Sequence, residues 1–151
     1  MRVLAVLPCG KRKIWNQTPD VGPMKVKDVY IGTLHRLTRQ YAEIFADEWV
    51  ILSGKHGFCS KDEMINEDYD ITFGMKEADV ISLHQLKQQL YHQGLDQYDR
   101  AIILTGKKHQ RVIEAIGGIT SDDRFPLLGT KGIGEMQQRL KWAIENKTPL
   151  D

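Results

Sequence analysis

The sequence predicts one α/β domain, a three-layer α/β/α sandwich built on a mostly parallel four-stranded sheet, and three observations carry that prediction. Short apolar runs without polar alternation, at residues 3–7, 49–52 and 101–104, suit strands buried on both faces. Stretches with apolar residues at helical spacing lie between them, and alternating strands and helices pack as a parallel sheet covered on both sides. The chain has 151 residues, 41% hydrophobic and 27% charged, which suits a single core.

Each element follows in order. Residues 3–7 form the first strand, closed by Pro8 and Gly10. A loop rich in Lys, Pro and Gly runs to about Lys27. Tyr30, Leu34, Leu37, Tyr41 and Ile44 then recur at helical spacing, with Arg36, Arg39, Glu43 and Asp47 on the other side, which predicts an amphipathic helix. Residues 49–52 are the second strand. Residues 59–75 show no period and read as an irregular excursion. Val80, Leu83, Leu86 and Leu90 mark a helix that stops near Gly94. Residues 101–104 are the third strand, and 107–116 a short helix closed by Gly117-Gly118. Residues 124–128 supply the fourth strand, and Ile133, Met136, Leu140 and Ile144 line the last helix.

Composition narrows the function. The formal net charge is only +1, so any polyanion must be met by locally arranged cations. Two cysteines and no secretory segment suit a reducing cytoplasm. The opening apolar run is too short to span a membrane. No Walker lysine motif occurs, and the Gly-x-Gly of KGIGEM lacks the rest of a dinucleotide fingerprint. Cys9, His56 and Cys59 would give only three zinc ligands at unusual spacing, so no metal and no cofactor is expected.

Ligands of open α/β sheets bind outside the carboxyl ends of the strands. Those ends read PCGKRKIW, SGKHGF, TGKKHQ and LGTKGIG, and each pairs glycine with lysine. Glycine lets backbone approach a ligand closely, and lysine is a mobile cation for phosphate. Lys11, Lys13, Lys107, Lys108 and Lys131 are therefore candidate anion-binding residues, with Gly10, Gly57 and Gly106 shaping the loops and Ser53 beside them. His56, next to Lys55, should be neutral and available as a base or hydrogen-bond donor. Asp70, after Tyr69, is a carboxylate near the cations, or a turn cap. Cys9 beside Lys11-Arg12-Lys13 is a candidate substrate contact and a less favoured nucleophile. Trp15 and Tyr69 are candidate stacking platforms for a base, although a loop tryptophan also fits a core edge. His109 is left between a site role and a structural one, and His35 is read as structural or solvated.

LPCGKRK, ILSGKHGF, YDITF and PLLGTKGIGEM, in that order, resemble a family of small bacterial and phage proteins of unknown function, across nearly the whole chain. The chain departs from that pattern at Gly54, where alanine is usual. A fainter resemblance reaches the archaeosine synthase core domain, which shares the Pro-Cys start and the Tyr-Asp pair but has a Ser-Lys-Ser-His stretch missing here. The layout also resembles the uracil-DNA glycosylase fold. These resemblances imply chemistry on a nucleobase, with an N-glycosylase acting on DNA or a modified nucleotide as the leading expectation. In that expectation Asp70, His56, Lys55 and Lys11 are catalytic. The alternatives are a transferase acting on a deazaguanine-type base in tRNA and a non-catalytic nucleic-acid or nucleotide-binding module.

Overall fold

The computed structural model describes residues 1–76 and 78–150. Its central sheet has five strands: β1 (Val3–Pro8), β3 (Glu48–Ser53), β4 (Gly57–Ser60), β6 (Arg100–Ile103) and β7 (Asp123–Arg124), in the order β4-β3-β1-β6-β7. β1 pairs in parallel with β3 and β6, and β6 in parallel with β7, while β4 runs antiparallel to β3. A second ribbon joins β2 (Met24–Lys25) to β5 (Met64–Ile65). The expected α/β class and mostly parallel sheet hold, with five strands in place of four.

The extra strand arises from SGKHGF. That segment is a hairpin turn rather than an open strand-to-helix loop, because Gly57, at φ +72°, turns the chain back along β3. Residues 59–75, read as irregular, therefore begin inside β4 and include β5. The fourth strand expected at 124–128 is only the two-residue β7; Leu128 N–H already closes a turn onto the Phe125 carbonyl.

Helices cover both faces of the sheet. On one side, α3 (Thr33–Phe45) and α6 (Ile133–Asn146) pack through Leu37, Tyr41, Leu140 and Ala143 against Ala5, Leu7 and Ile51. Trp15 from α1 (Ile14–Gln17) and Val26 and Val29 from α2 (Val26–Val29) complete that core. On the other side, α4 (Leu83–His92), the 3₁₀ turn Leu95–Gln97 and α5 (Lys107–Ala115) bury Leu86, Leu90, Leu95 and Ile113 against Leu4, Val6, Leu52 and Ile103. Burying a Leu- or Ile-sized side chain contributes about 1.5–3 kcal/mol, so these two apolar layers are the main source of stability.

α3 starts at Thr33, not at Tyr30. Tyr30 instead bridges Lys13 in an isolated antiparallel pair, and Ile31 N–H donates to the Arg12 carbonyl. This places Tyr30 beside the loop after β1. At the sheet's edge, α4 seals β4: Phe58 N–H donates to Gln89 Oε1 at 2.8 Å, and Gln93 Nε2 donates to the Phe58 carbonyl at 2.9 Å.

Candidate functional site

Because β1, β3 and β6 are parallel, their carboxyl ends share one edge of the sheet. The chain leaves β1 for β3 on one side, and β6 stands on the other. The crevice at the end of β1 is thus a topological switch point, where open α/β sheets bind ligands. Cys9 emerges from β1 there and His109 from α5, with Sγ 3.7 Å from Nε2. Phe73 packs edge-on against the His109 ring at 5.3 Å. Burial pushes the Cys9 thiol up, opposed by the Gly54 amide and the Lys13 ammonium. Burial also holds His109 down at about 4, the Leu52 carbonyl opposing it and Lys108 adding to it. Thiol and imidazole are both neutral at pH 7.

Tyr69 is the hub of the neighbouring cluster. Its hydroxyl hydrogen-bonds to Tyr30 Oη and lies 2.9 Å from Ser53 Oγ. Ser53 Oγ accepts the amides of Lys55 (3.3 Å) and His56 (3.1 Å), which occupies both lone pairs and directs its own proton to Tyr69. Burial raises the pKa of both tyrosines, so each remains a phenol. Around the Tyr69 ring stand Lys13 Nζ at 4.5 Å, Lys55 Nζ at 5.9 Å and the His56 ring, edge-on at 4.9 Å. Burial first, and Lys55 second, lower the pKa of His56 and keep it neutral at pH 7; its Nε2 has no partner.

One face of this cluster opens as a cleft of about 380 Å³ lined by Lys11, Arg12, Lys13, Asn16, Asp68, Tyr69 and Asp70. Asp70 is exposed there, with no hydrogen-bond partner among the described residues, so it is not a turn cap. Asp68 accepts the Tyr69 amide at 2.8 Å. Lys13 is buried, its ammonium donating to the Lys11 carbonyl at 3.2 Å. A larger concavity of about 820 Å³ along α4, lined by Ile81, Gln85, Gln88, Gln89, Tyr91, His92 and Gln93, holds no lysine, arginine or carboxylate and so offers little for an anion.

The structure thus gathers Cys9, Lys11, Lys13, Ser53, Lys55, His56, Tyr69 and Asp70 at one edge. Gly10 lies against His35, with a β-carbon built on it 3.9 Å from that of His35, and Gly57 forms the hairpin. Other expectations need correction. Trp15 is core packing: its ring is buried and its indole N–H donates to the Gly22 carbonyl, leaving no face for a base. Lys13 is an enclosed ammonium rather than a mobile one. Gly106 sits against Met136 of α6, and Lys107, Lys108 and Lys131 are not among the described residues that line the cleft; the Lys131 amide donates to Glu135. Arg12, Asn16, Asp68 and Tyr30 were not singled out from sequence, and His109 was left between a site role and a structural one. Arg12 stood in the KRK run and His109 at a strand end, whereas Tyr30 was hidden by its helical spacing. Among the described residues no group of three or more His, Cys, Asp or Glu could hold a metal ion, and no helix is long and apolar enough to cross a membrane.

Comparison with known proteins places the chain. Residues 4–143 match a family of unknown function (DUF6884), and the chain belongs to that family. An uncharacterised protein of Bacillus subtilis (strain 168), YfjM, is 39% identical over 150 residues, covering 99% of this chain and all of the relative. Among solved structures, AF0587, a protein of unknown function, aligns with a TM-score of 0.43 at 15% identity, covering 99% of this chain. This chain spans 46% of that longer one.

Proposed function

We propose that the cleft is the active site of a nucleobase-acting hydrolase that cleaves an N-glycosidic bond. The observation behind this reading is the placement of Asp70, a carboxylate without a hydrogen-bond partner among the described residues, in a cleft that also holds Lys11, Arg12 and Lys13, with neutral His56 packed on the neighbouring Tyr69 ring. Breaking an N-glycosidic bond develops positive charge on the sugar and negative charge on the departing base. Asp70 suits the first: it orients a water for attack on the anomeric carbon and takes that water's proton. Lys11, Lys55 and neutral His56 suit the second, because preorganised donors stabilise charge where it develops. The bond's electron pair leaves with the base, which is protonated from solvent. Tyr69, whose hydroxyl and ring are both held, fixes the distance between these groups. The layout's resemblance to the uracil-DNA glycosylase fold supports the same reading by analogy only. Both cysteines are free thiols, in keeping with the reducing cytoplasm where we place the protein.

The test is release of free base, in single turnover, from a panel of modified-base oligonucleotides and nucleotides. Asp70→Asn should fold and bind normally while cleavage falls about 10²–10⁴-fold. Binding with no base release by the wild type would leave a non-catalytic nucleotide-binding module.

A further inference from the structure

The enclosed ammonium of Lys13 says more about the ligand. Its side chain is 4% exposed, yet among the described residues no carboxylate lies within 4 Å of Nζ. Of its three donor positions, one goes to the Lys11 carbonyl, and the Tyr69 ring covers one side. A charge withdrawn from water ordinarily has a counter-charge. The flanking residues, Lys11 and Arg12, only add to the positive charge, and all three line the same cleft. The cleft is therefore where an anion would meet these charges.

We propose, on the reading that this is a base-acting site, that the cleft holds the terminal phosphate monoester of a free nucleoside 5′-monophosphate, not an internal phosphodiester of a polymer. A monoester brings nearly two negative charges and three terminal oxygens to three clustered cations; an internal phosphodiester brings one charge. Asp68 and Asp70 line the same cleft. They would repel the neighbouring phosphates of a strand, yet they accept well from sugar hydroxyls. The volume, about 380 Å³, falls in the usual range for small-molecule sites of about 300–1,000 Å³. Polymer binding instead draws on several phosphate contacts along a track. Here Lys107, Lys108 and Lys131 are absent from the cleft lining, and the whole chain carries a net charge of only +1.

Equilibrium binding decides the matter without requiring turnover. The probes are the four common 2′-deoxynucleoside 5′-monophosphates, the matching nucleosides, and a short mixed-sequence single strand lacking a terminal phosphate, read by calorimetry and thermal unfolding. At least one monophosphate should bind roughly 10–100-fold more tightly than its nucleoside, as expected for charge-assisted hydrogen bonds. Lys13→Met should abolish that preference. If Lys13→Met does not fold, the exposed pair Lys11→Ala/Arg12→Ala should reduce monophosphate affinity about tenfold while sparing the nucleoside. A strand that binds more tightly than every monophosphate would overturn the proposal, as would monophosphates that bind no better than nucleosides. Monophosphate binding without base release would keep this assignment and remove the glycosidase reading; base release from strands without monophosphate binding would do the reverse.

Discussion

Cys9 Sγ and His109 Nε2 face each other at 3.7 Å across the switch point of the sheet, one carried by the loop after β1 and the other by the helix after β6. Their spacing suggests a nucleophile and its base, but their surroundings argue otherwise. Burial raises the thiol's pKa and lowers the imidazole's, so proton transfer to an ion pair is unfavourable at neutral pH. Cys9 should therefore react slowly with iodoacetamide at pH 7, with a rate that climbs only above the ordinary thiol range. Mass mapping of the alkylated thiol across pH checks this. Fast alkylation at pH 7 would restore Cys9 as a nucleophile.

The same burial makes the fold sensitive to acid. His35, whose Nδ1 lies 3.3 Å from the Pro8 carbonyl, and His109 both have pKa values near 4, against 6.5 for an ordinary histidine. Between these limits the unfolded chain binds protons that the folded chain refuses. Stability is thus fully present above pH 6.5 and is lost as pH falls toward 4, by up to about 1.4 kcal/mol per pH unit for each histidine. Urea unfolding at several pH values between 4 and 7 measures it; a flat profile above pH 4.5 would show that these histidines charge freely in the native state.

Tyr69→Phe tests the hub. The ring contacts with Lys13 and His56 survive, but Ser53 and Tyr30 lose their shared hydroxyl inside the core. The expected cost is about 1–3 kcal/mol, with weaker cleavage if the cleft loosens. Denaturant midpoints and single-turnover rates of the same preparation separate the two effects.

Gly54→Ala tests how the hairpin meets the Tyr69–Asp70 segment. A β-carbon at Gly54 would lie 2.9 Å from Phe73 N and Thr72 C, backbone atoms that cannot rotate away. The substitution should cost about 1–3 kcal/mol and displace residues 72–73. An unchanged thermal midpoint would show that the segment yields easily.

How much of this was readable in the sequence depended on the strength of local patterns. The three long strands were found because a buried parallel strand leaves a continuous apolar run, as in Val50-Ile51-Leu52. The hairpin was missed because a polar turn of glycine, lysine and histidine looks the same whether a helix or a returning strand follows. β2, β5 and β7 have two residues each, too few for any period to show. Tyr30 kept helical spacing with Leu34, Leu37 and Tyr41 by coincidence, and its pairing with Lys13 is tertiary information. Strand-end lysines could be marked as a class, but which of them reach one cleft depends on loop paths that composition does not encode. Trp15 followed the ordinary behaviour of a large apolar ring, which is burial.

The glutamines along α4 have a consequence beyond the site. An outermost strand usually offers its unpaired amides and carbonyls to any passing chain, the route by which folded proteins join edge to edge into larger aggregates. At Phe58 both groups are already taken, by Gln89 and Gln93, and Gln89 Nε2 also holds the His56 carbonyl. This flank of the sheet is closed to recruitment of a foreign strand by two side chains that cost the fold no charge and no proline. The opposite flank has only the two residues of β7, too short a template to seed pairing. Resistance to self-templating is thus built into the same helix that buries Leu86 and Leu90.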